Sequence, residues 1–217
     1  MDEKCPNCGY DLSEQPDYID EFSNVVGKNI VMGGRVVGKS EMLLERSEYG
    51  FKRDEDILVI APKYENAMVL RDRFVEKCPS GYIVTHKRRF VSSQHSSVSF
   101  ASSEDIRNGK KITEYDTILV DNATDISQTI VKQIYNSGTK TICFAGTPNP
   151  NKGIVERLAA YDYGSTTWHI NGKSSPLLPE SKIEEMYSYL SNRRFECDVQ
   201  GKYWEEDVEY FRPDHSY

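Results

Sequence analysis

Short apolar runs alternate along this chain with stretches whose apolar residues recur at helical spacing. Asn29-Ile30-Val31-Met32 predicts a strand, and the segment beginning Glu41-Met42-Leu43-Leu44-Glu45-Arg46 predicts a helix. Asp56 to Ala61 carries a continuous apolar run, the mark of a strand buried on both faces. After Pro62, Tyr64 to Lys77 sets Ala67, Leu70, Phe74 and Val75 on or near one helical face. Gly81 to Thr85 and Val98 to Ala101 predict two further strands, with the polar, serine-rich Lys87 to Ser97 as a loop between them. Thr117 to Asp121 is a buried strand that ends in an acid. Ile126 to Asn136 follows as a helix closed by Gly138, Lys140 to Ala145 as a strand, and Gly146-Thr147-Pro148-Asn149-Pro150 as a sharp break. Beyond it the pattern predicts a helix over Gly153 to Tyr161, a strand over Thr166 to Ile170, a turn from Pro176 to Pro179 and a helix over Glu180 to Asn192. The acidic, aromatic segment Phe195 to Phe211 reads as a strand and short helix covering the sheet edge. The alternation implies an α/β fold with a mainly parallel central sheet and helices on both faces. Residues 1–27 are polar and acid-rich, with one short helix over Tyr18 to Phe22, and read as a lead-in; residues 28–217 read as a single domain.

Composition narrows the class. A length of 217 residues suits one domain with a sizeable core, and 38% hydrophobic and 28% charged residues suit a soluble globular protein. The expectation is a cytoplasmic protein with no membrane contact, because no apolar run is long enough to span a bilayer and Met1-Asp2-Glu3-Lys4 is not a secretory signal. A net charge of −7 argues against coating nucleic acid by bulk electrostatics. Local basic clusters remain at His86-Lys87-Arg88-Arg89, Lys110-Lys111 and Arg193-Arg194, each of which also reads as a solvated face. Five scattered cysteines argue against a disulfide framework, and Cys143, inside an apolar run, reads as a small buried hydrophobe. Cys5-Pro6-Asn7-Cys8-Gly9 has the spacing of a zinc-ribbon knuckle. Cys5 and Cys8 supply two of the four ligands zinc takes; the alternative is a frayed terminus with two free thiols.

The candidate chemistry lies at Gly33-Gly34-Arg35-Val36-Val37-Gly38-Lys39-Ser40, between the first strand and its helix. Gly, four residues, then Gly-Lys-Ser is the pattern of a phosphate-binding loop. Its glycines let successive N–H groups face a polyphosphate, and the following helix presents its positive end to the same anion. Lys39 is expected to reach the β- and γ-phosphates of ATP and Ser40 to hold magnesium through its hydroxyl. Asp121, at the end of a buried strand, is the second acid such a site needs for magnesium. A glutamate often follows that aspartate to take the proton of the attacking water, and here the residue is Asn122, an amide that holds water but accepts no proton at neutral pH. Asp125, Glu104 and Asp105 are the candidate substitutes; loss of catalysis is the competing reading. Thr147, at the end of the next strand, is placed to sense the γ-phosphate or read as an ordinary turn residue. Arg35 is placed either to stabilise the transferring phosphate or to pair with a carboxylate.

Taken in order, these segments resemble the ATPase domain of viral, phage-type large terminases, the motors that pump DNA into capsids. The resemblance rests on the Gly-Gly-Arg-x-x-Gly-Lys-Ser form of the loop, on Val59-Ile60-Ala61-Pro62 before a long helix, and on Phe100-Ala101-Ser102 followed by Ile106-Arg107-Asn108-Gly109. Ala145-Gly146-Thr147-Pro148-Asn149-Pro150 and the stretch from Leu178-Pro179-Glu180 to Gly201-Lys202-Tyr203 complete it, over about residues 25–205. It implies a single RecA-like P-loop NTPase domain, ATP and magnesium, and a homo-oligomeric ring of terminase subunits on a viral portal. Double-stranded DNA would be the moved substrate, in the cytoplasm of an infected host cell. It assigns nucleotide binding to Gly33 through Ser40, a cis arginine role to Arg35, magnesium to Ser40 and Asp121, coupling to Thr147 and the catalytic position to Asn122. The chain departs from the family at Asn122, in its Cys5–Cys8 element, and in having no room for the nuclease domain that usually follows. The alternatives are a helicase-like DNA-dependent ATPase and a nucleotide-binding switch with little turnover. Tyr18 and Gln15 are the candidates for an adenine contact.

Overall fold

The computed structural model describes residues 17–35, 37–77, 90–92, 95–148, 153–161, 164–172, 180–190 and 192–201. In chain order these form α1 (Asp17–Ser23), β1 (Gly27–Gly33), α2 (Lys39–Phe51), β2 (Asp56–Ala61), α3 (Tyr64–Lys77), β3 (Phe90–Ser92), β4 (Ser97–Ser102) and α4 (Ser103–Arg107). There follow β5 (Thr117–Val120), a 3-10 turn at Ala123–Asp125, α5 (Gln128–Tyr135), β6 (Thr141–Gly146), α6 (Ile154–Tyr161), β7 (Ser165–Ile170), α7 (Glu180–Tyr189) and α8 (Asn192–Asp198). Among the described residues the strands make one sheet in the order β3-β4-β2-β5-β6-β1-β7. Every pairing is parallel except that of β3 with β4.

Continuous apolar runs become central strands because both faces of the sheet are covered, and alternate side chains enter two different cores. Val31, Val59, Leu119 and Cys143 face the core under α1, α2 and α3, where Phe22, Leu43, Leu70 and Phe74 meet them. Ile30, Ile60, Ile118 and Phe144 face the opposite core, with Ile106 of α4, Ile130 and Ile134 of α5 and Val155 of α6. Cys143 is fully buried, and burial pushes its thiol up to about 12, as befits a small hydrophobe.

Four elements depart from the expected pattern. Phe90–Ser92 pairs antiparallel with β4 inside the stretch read as a loop, since an edge strand of three residues leaves no periodic signal. Ser103–Arg107 is a helix that its five residues did not announce, started by a capping box in which Ser102 and Asp105 satisfy each other's backbone N–H groups. The helix expected over Glu180 to Asn192 is α7, which ends at Tyr189, and a separate helix, α8, begins at Asn192. Phe195 of α8 packs edge-on against Tyr187 of α7, ring centroids 5.0 Å apart. The start of the segment expected as an edge strand and short helix is thus the end of α8. Residues 202–217, and the strand expected at Gly81 to Thr85, lie outside the described residues.

Helix α1 lies against α2. Ile19 and Phe22 are buried, and Phe22 meets Trp168 of β7 edge-on at 5.5 Å. The buried Arg46 of α2 secures this corner. Its Nε donates to the Val25 carbonyl at 3.1 Å, and its Nη2 donates to both Glu55 carboxylate oxygens and to Thr117 Oγ1 of β5. A guanidinium suits the position because its planar fork serves several acceptors at once. Phe22→Ala is expected to lower unfolding free energy by about 3 kcal/mol, the cost of a buried aromatic cavity, measured by urea denaturation. An effect under about 1 kcal/mol would show that α1 is not part of the cooperative unit.

Candidate functional site

Parallel pairing sends the C-terminal ends of β1, β5, β6 and β7 to one edge of the sheet, where open α/β sheets bind ligands. Met32 is level with Gly146 in the β1–β6 register, so Gly33 and Thr147 leave the sheet side by side. The phosphate-loop pattern spans from Gly33, the last residue of β1, to the first turn of α2. Gly38 sits at φ 83°, a left-handed conformation that glycine adopts without penalty, and from there α2 begins at Lys39. Gly33 and Gly34 are needed for space. A Cβ on Gly34 would lie 2.2 Å from the Val199 carbonyl oxygen, and one on Gly33 3.0 Å from that of Ile170. Val37 is fully buried in the core under α2 and anchors the loop; Val36 lies outside the described residues.

Lys39 is the centre of the site. Its side chain is buried, and Nζ donates to the carbonyls of Gly33 at 3.0 Å and Gly34, and to Thr147 Oγ1 at 3.1 Å. The sheet thus joins the lysine to a threonine more than 100 positions away in sequence. Burial pulls the Lys39 ammonium down to about 8, opposed by the charge of Asp121 and assisted by that of Arg35. Ser40 Oγ donates to Asp121 Oδ1 at 2.8 Å, and Asn122 Nδ2 donates to Asp121 Oδ2 at 3.2 Å. Asp121 is held at the sheet edge by its own N–H, which donates to the Ile60 carbonyl at 2.8 Å. Burial raises its carboxyl above the ordinary value, against the bond from Ser40 and the charge of Lys39. A hydroxyl and a carboxylate are the hard oxygen ligands magnesium takes, one or two from protein and the rest from phosphates and water. A buried carboxylate whose charged form is disfavoured gains from a cation. Ser40 and Asp121 therefore fit the metal the loop implies.

Asn122 has φ 47° and ψ 45°, a left-handed conformation that asparagine tolerates better than most residues, and it opens the 3-10 turn. That turn brings Thr124 and Asp125 to a cavity of about 260 Å³, lined as well by Arg35, Asn122, Thr147, Pro148 and Arg194. Of the three acids weighed as substitutes for a glutamate, Asp125 alone lines this cavity. Glu104 pairs with Arg107 on the exposed face of α4 at 3.0 Å, and Asp105 is spent in the capping box.

Arg35 has both features weighed for it: it lines the cavity and it pairs with a carboxylate. The carboxylate is Asp198 at the end of α8, with Nε 3.4 Å from Oδ2. Arg194, one turn earlier on α8, donates from Nε to the same oxygen at 2.6 Å. The Arg35 N–H donates to the Asp198 carbonyl, and the Gly172 N–H to that of Val199 at 2.7 Å, so the end of α8 lies directly on the loop. Asp198 and Arg194 were missed as site residues. The available signal was their i, i+4 spacing, which is a common surface pairing and points to no site until α8 is seen to fold back. Cys5, Cys8, Gln15 and His86 to Arg89 lie outside the described residues, as does the side chain of Tyr18. Among the described residues no group of three or more His, Cys, Asp or Glu side chains gathers to hold a metal ion, and no helix is long and apolar enough to cross a membrane.

The sequence matches no family model and no curated protein. The fold is similar to that of solved structures. The ATPase domain of the Thermus phage P74-26 large terminase matches with a TM-score of 0.72 and 16% identity, over 87% of this chain and 94% of that one. The large terminase from a second thermophilic bacteriophage, in complex with ADP, matches at TM-score 0.62 and 13% identity, over 85% of this chain and 49% of that one. The complex of that same terminase with ATP-gamma-S matches at TM-score 0.61 and 13% identity, over 85% and 48%. The chain thus has the fold of phage large terminase ATPase domains, a RecA-like P-loop fold, and spans about half the length of the second phage's whole terminase.

Phosphate next to Lys39 would favour its charged form, so the ligand-bound lysine titrates above the free one. Nucleotide affinity is then constant below pH about 8 and falls as pH rises above it, because binding must take up a proton there. Lys39→Arg, whose charge does not titrate in this range, should bind without that decline. Titration of a fluorescent ATP analogue between pH 7 and 10 measures both; equal slopes would refute the lysine as the titrating group.

Proposed function

We propose that this chain is the ATPase domain of a DNA-packaging motor of the large-terminase type, which binds and hydrolyses ATP to drive double-stranded DNA into a viral capsid. The observation that carries the reading is the joining of three strand ends: Lys39 to Thr147, and Ser40 to Asp121, with Arg35 beside them. In this reading the N–H groups that open α2 and the Lys39 ammonium hold the polyphosphate. Ser40 and Asp121 would hold magnesium, which when bound neutralises charge on the β- and γ-phosphates. Arg35 carries positive charge to the cavity where the transferring phosphoryl group would lie. Thr147, bonded to Lys39, is placed to register what the lysine binds.

The same reading places the chain in a ring of identical subunits on a viral portal, in the cytoplasm of an infected host cell. Resemblance in motif order and in fold to phage terminases supports it. A second reading, a nucleotide-binding switch with little turnover, is favoured by one observation: the Asn122 amide donates to Asp121 and offers no base. Magnesium-dependent ATP hydrolysis, followed with and without double-stranded DNA, separates the two. A motor hydrolyses ATP faster when DNA is present; tight binding with no turnover in either condition identifies the switch. Lys39→Ala should weaken ATP binding by about 10- to 100-fold in both cases, the worth of a bond to a charged group, and unchanged binding would overturn the nucleotide site itself.

A further inference from the structure

We infer that Asp125 is the proton acceptor for the attacking water, in place of the residue at position 122. The inference rests on the hydrolytic reading above and names the group that reading leaves unfilled. Three observations carry it. First, Asn122 cannot serve: its amide accepts no proton at neutral pH, and its Nδ2 donates to Asp121. Second, of the three nearby acids the sequence offers, Glu104 is paired with Arg107 and Asp105 caps α4, whereas Asp125 lines the cavity with Arg35, Thr147 and Arg194. Third, Asp125 is exposed, so its carboxylate is open to water, while its backbone is fixed by the bond from its N–H to the Asn122 carbonyl at 2.9 Å.

The position follows from the backbone. Asn122 turns left-handed immediately after the metal-site acid, and buried Ala123 anchors the 3-10 turn, so the chain doubles back and presents its third residue to the cavity. That cavity adjoins the phosphate site through Thr147, which bonds Lys39, and through Asn122, which bonds Asp121. A water in it would have a carboxylate to accept its proton and two guanidinium groups to attract the phosphoryl oxygens. The water oxygen bonds to the γ-phosphorus, the bond from that phosphorus to the β,γ-bridging oxygen breaks, and ADP leaves with those electrons. The water proton passes to Asp125 and then to solvent, leaving inorganic phosphate.

The test uses the full chain with magnesium-ATP for turnover and a non-hydrolysable ATP analogue for affinity. Asp125→Asn should lower the hydrolysis rate by about 10²-fold or more, the contribution of a positioned base, with analogue affinity unchanged. Adding Asn122→Glu to that variant should restore much of the rate by returning a carboxylate to the cavity. Glu104→Gln should leave the rate as it is. An undiminished rate in Asp125→Asn, an analogue affinity that falls with the rate, or no recovery in the double variant each overturns the assignment. A wild-type chain that binds the analogue but never turns over ATP overturns both this assignment and the hydrolytic reading, while a wild-type chain that hydrolyses and an indifferent Asp125→Asn overturn this assignment alone.

Discussion

The site depends on β1, β6 and β5 lying side by side in parallel register. Gly27 and Thr117 both align with Thr141, and Ile30 and Val120 with Phe144, so the three strands end within three residues of one another. Parallel strands need crossover connections, and those connections are the helices that seal both faces. The sheet therefore buries its apolar runs and delivers three polar chain reversals to one edge in the same step. A slip of one residue would exchange the two cores and carry Asp121 and Thr147 away from Ser40 and Lys39.

At that edge the molecule tolerates charge in a place that disfavours it. Lys39 and Asp121 are both buried, and burial shifts each toward its neutral form. Their mutual attraction opposes this, and the carbonyls of Gly33 and Gly34 and the hydroxyls of Ser40 and Thr147 supply hydrogen bonds. Each charge is thus met within the protein, the ammonium by loop carbonyls and the Thr147 hydroxyl and the carboxylate by a serine proton.

The end of α8 adds a constraint that the motifs do not contain. Asp198 holds Arg35 and Arg194 on one buried carboxylate, and the Val199 carbonyl lies where any side chain on Gly34 would go. The second glycine of the loop is thus required by a neighbour from the far end of the chain. The position of Arg35 likewise depends on α8 as much as on the loop that carries it.

Much was legible because it depends on local sequence. The runs at Ile57 to Ala61 and Ile118 to Val120 show strands buried on two faces, and Tyr64–Lys77 is a helix at the expected bounds. The spacing from Gly33 to Ser40 identifies the loop because the turn, the positive helix end and the lysine all lie within eight consecutive residues. The capped five-residue α4, the edge strand β3 and the start of α8 at Asn192 were not legible, being too short to show a period or decided by packing between elements. Nor did spacing rank Glu104, Asp105 and Asp125, which differ little as residue types. By itself the sequence determined the layered fold and the glycine turn between β1 and α2, since hydrophobic period and glycine geometry act over a few residues. Only the tertiary structure decided that Thr147 meets Lys39, that Asp198 gathers two arginines and that Asp125 faces the cavity. Those contacts follow from strand order and chain return, which no local pattern encodes.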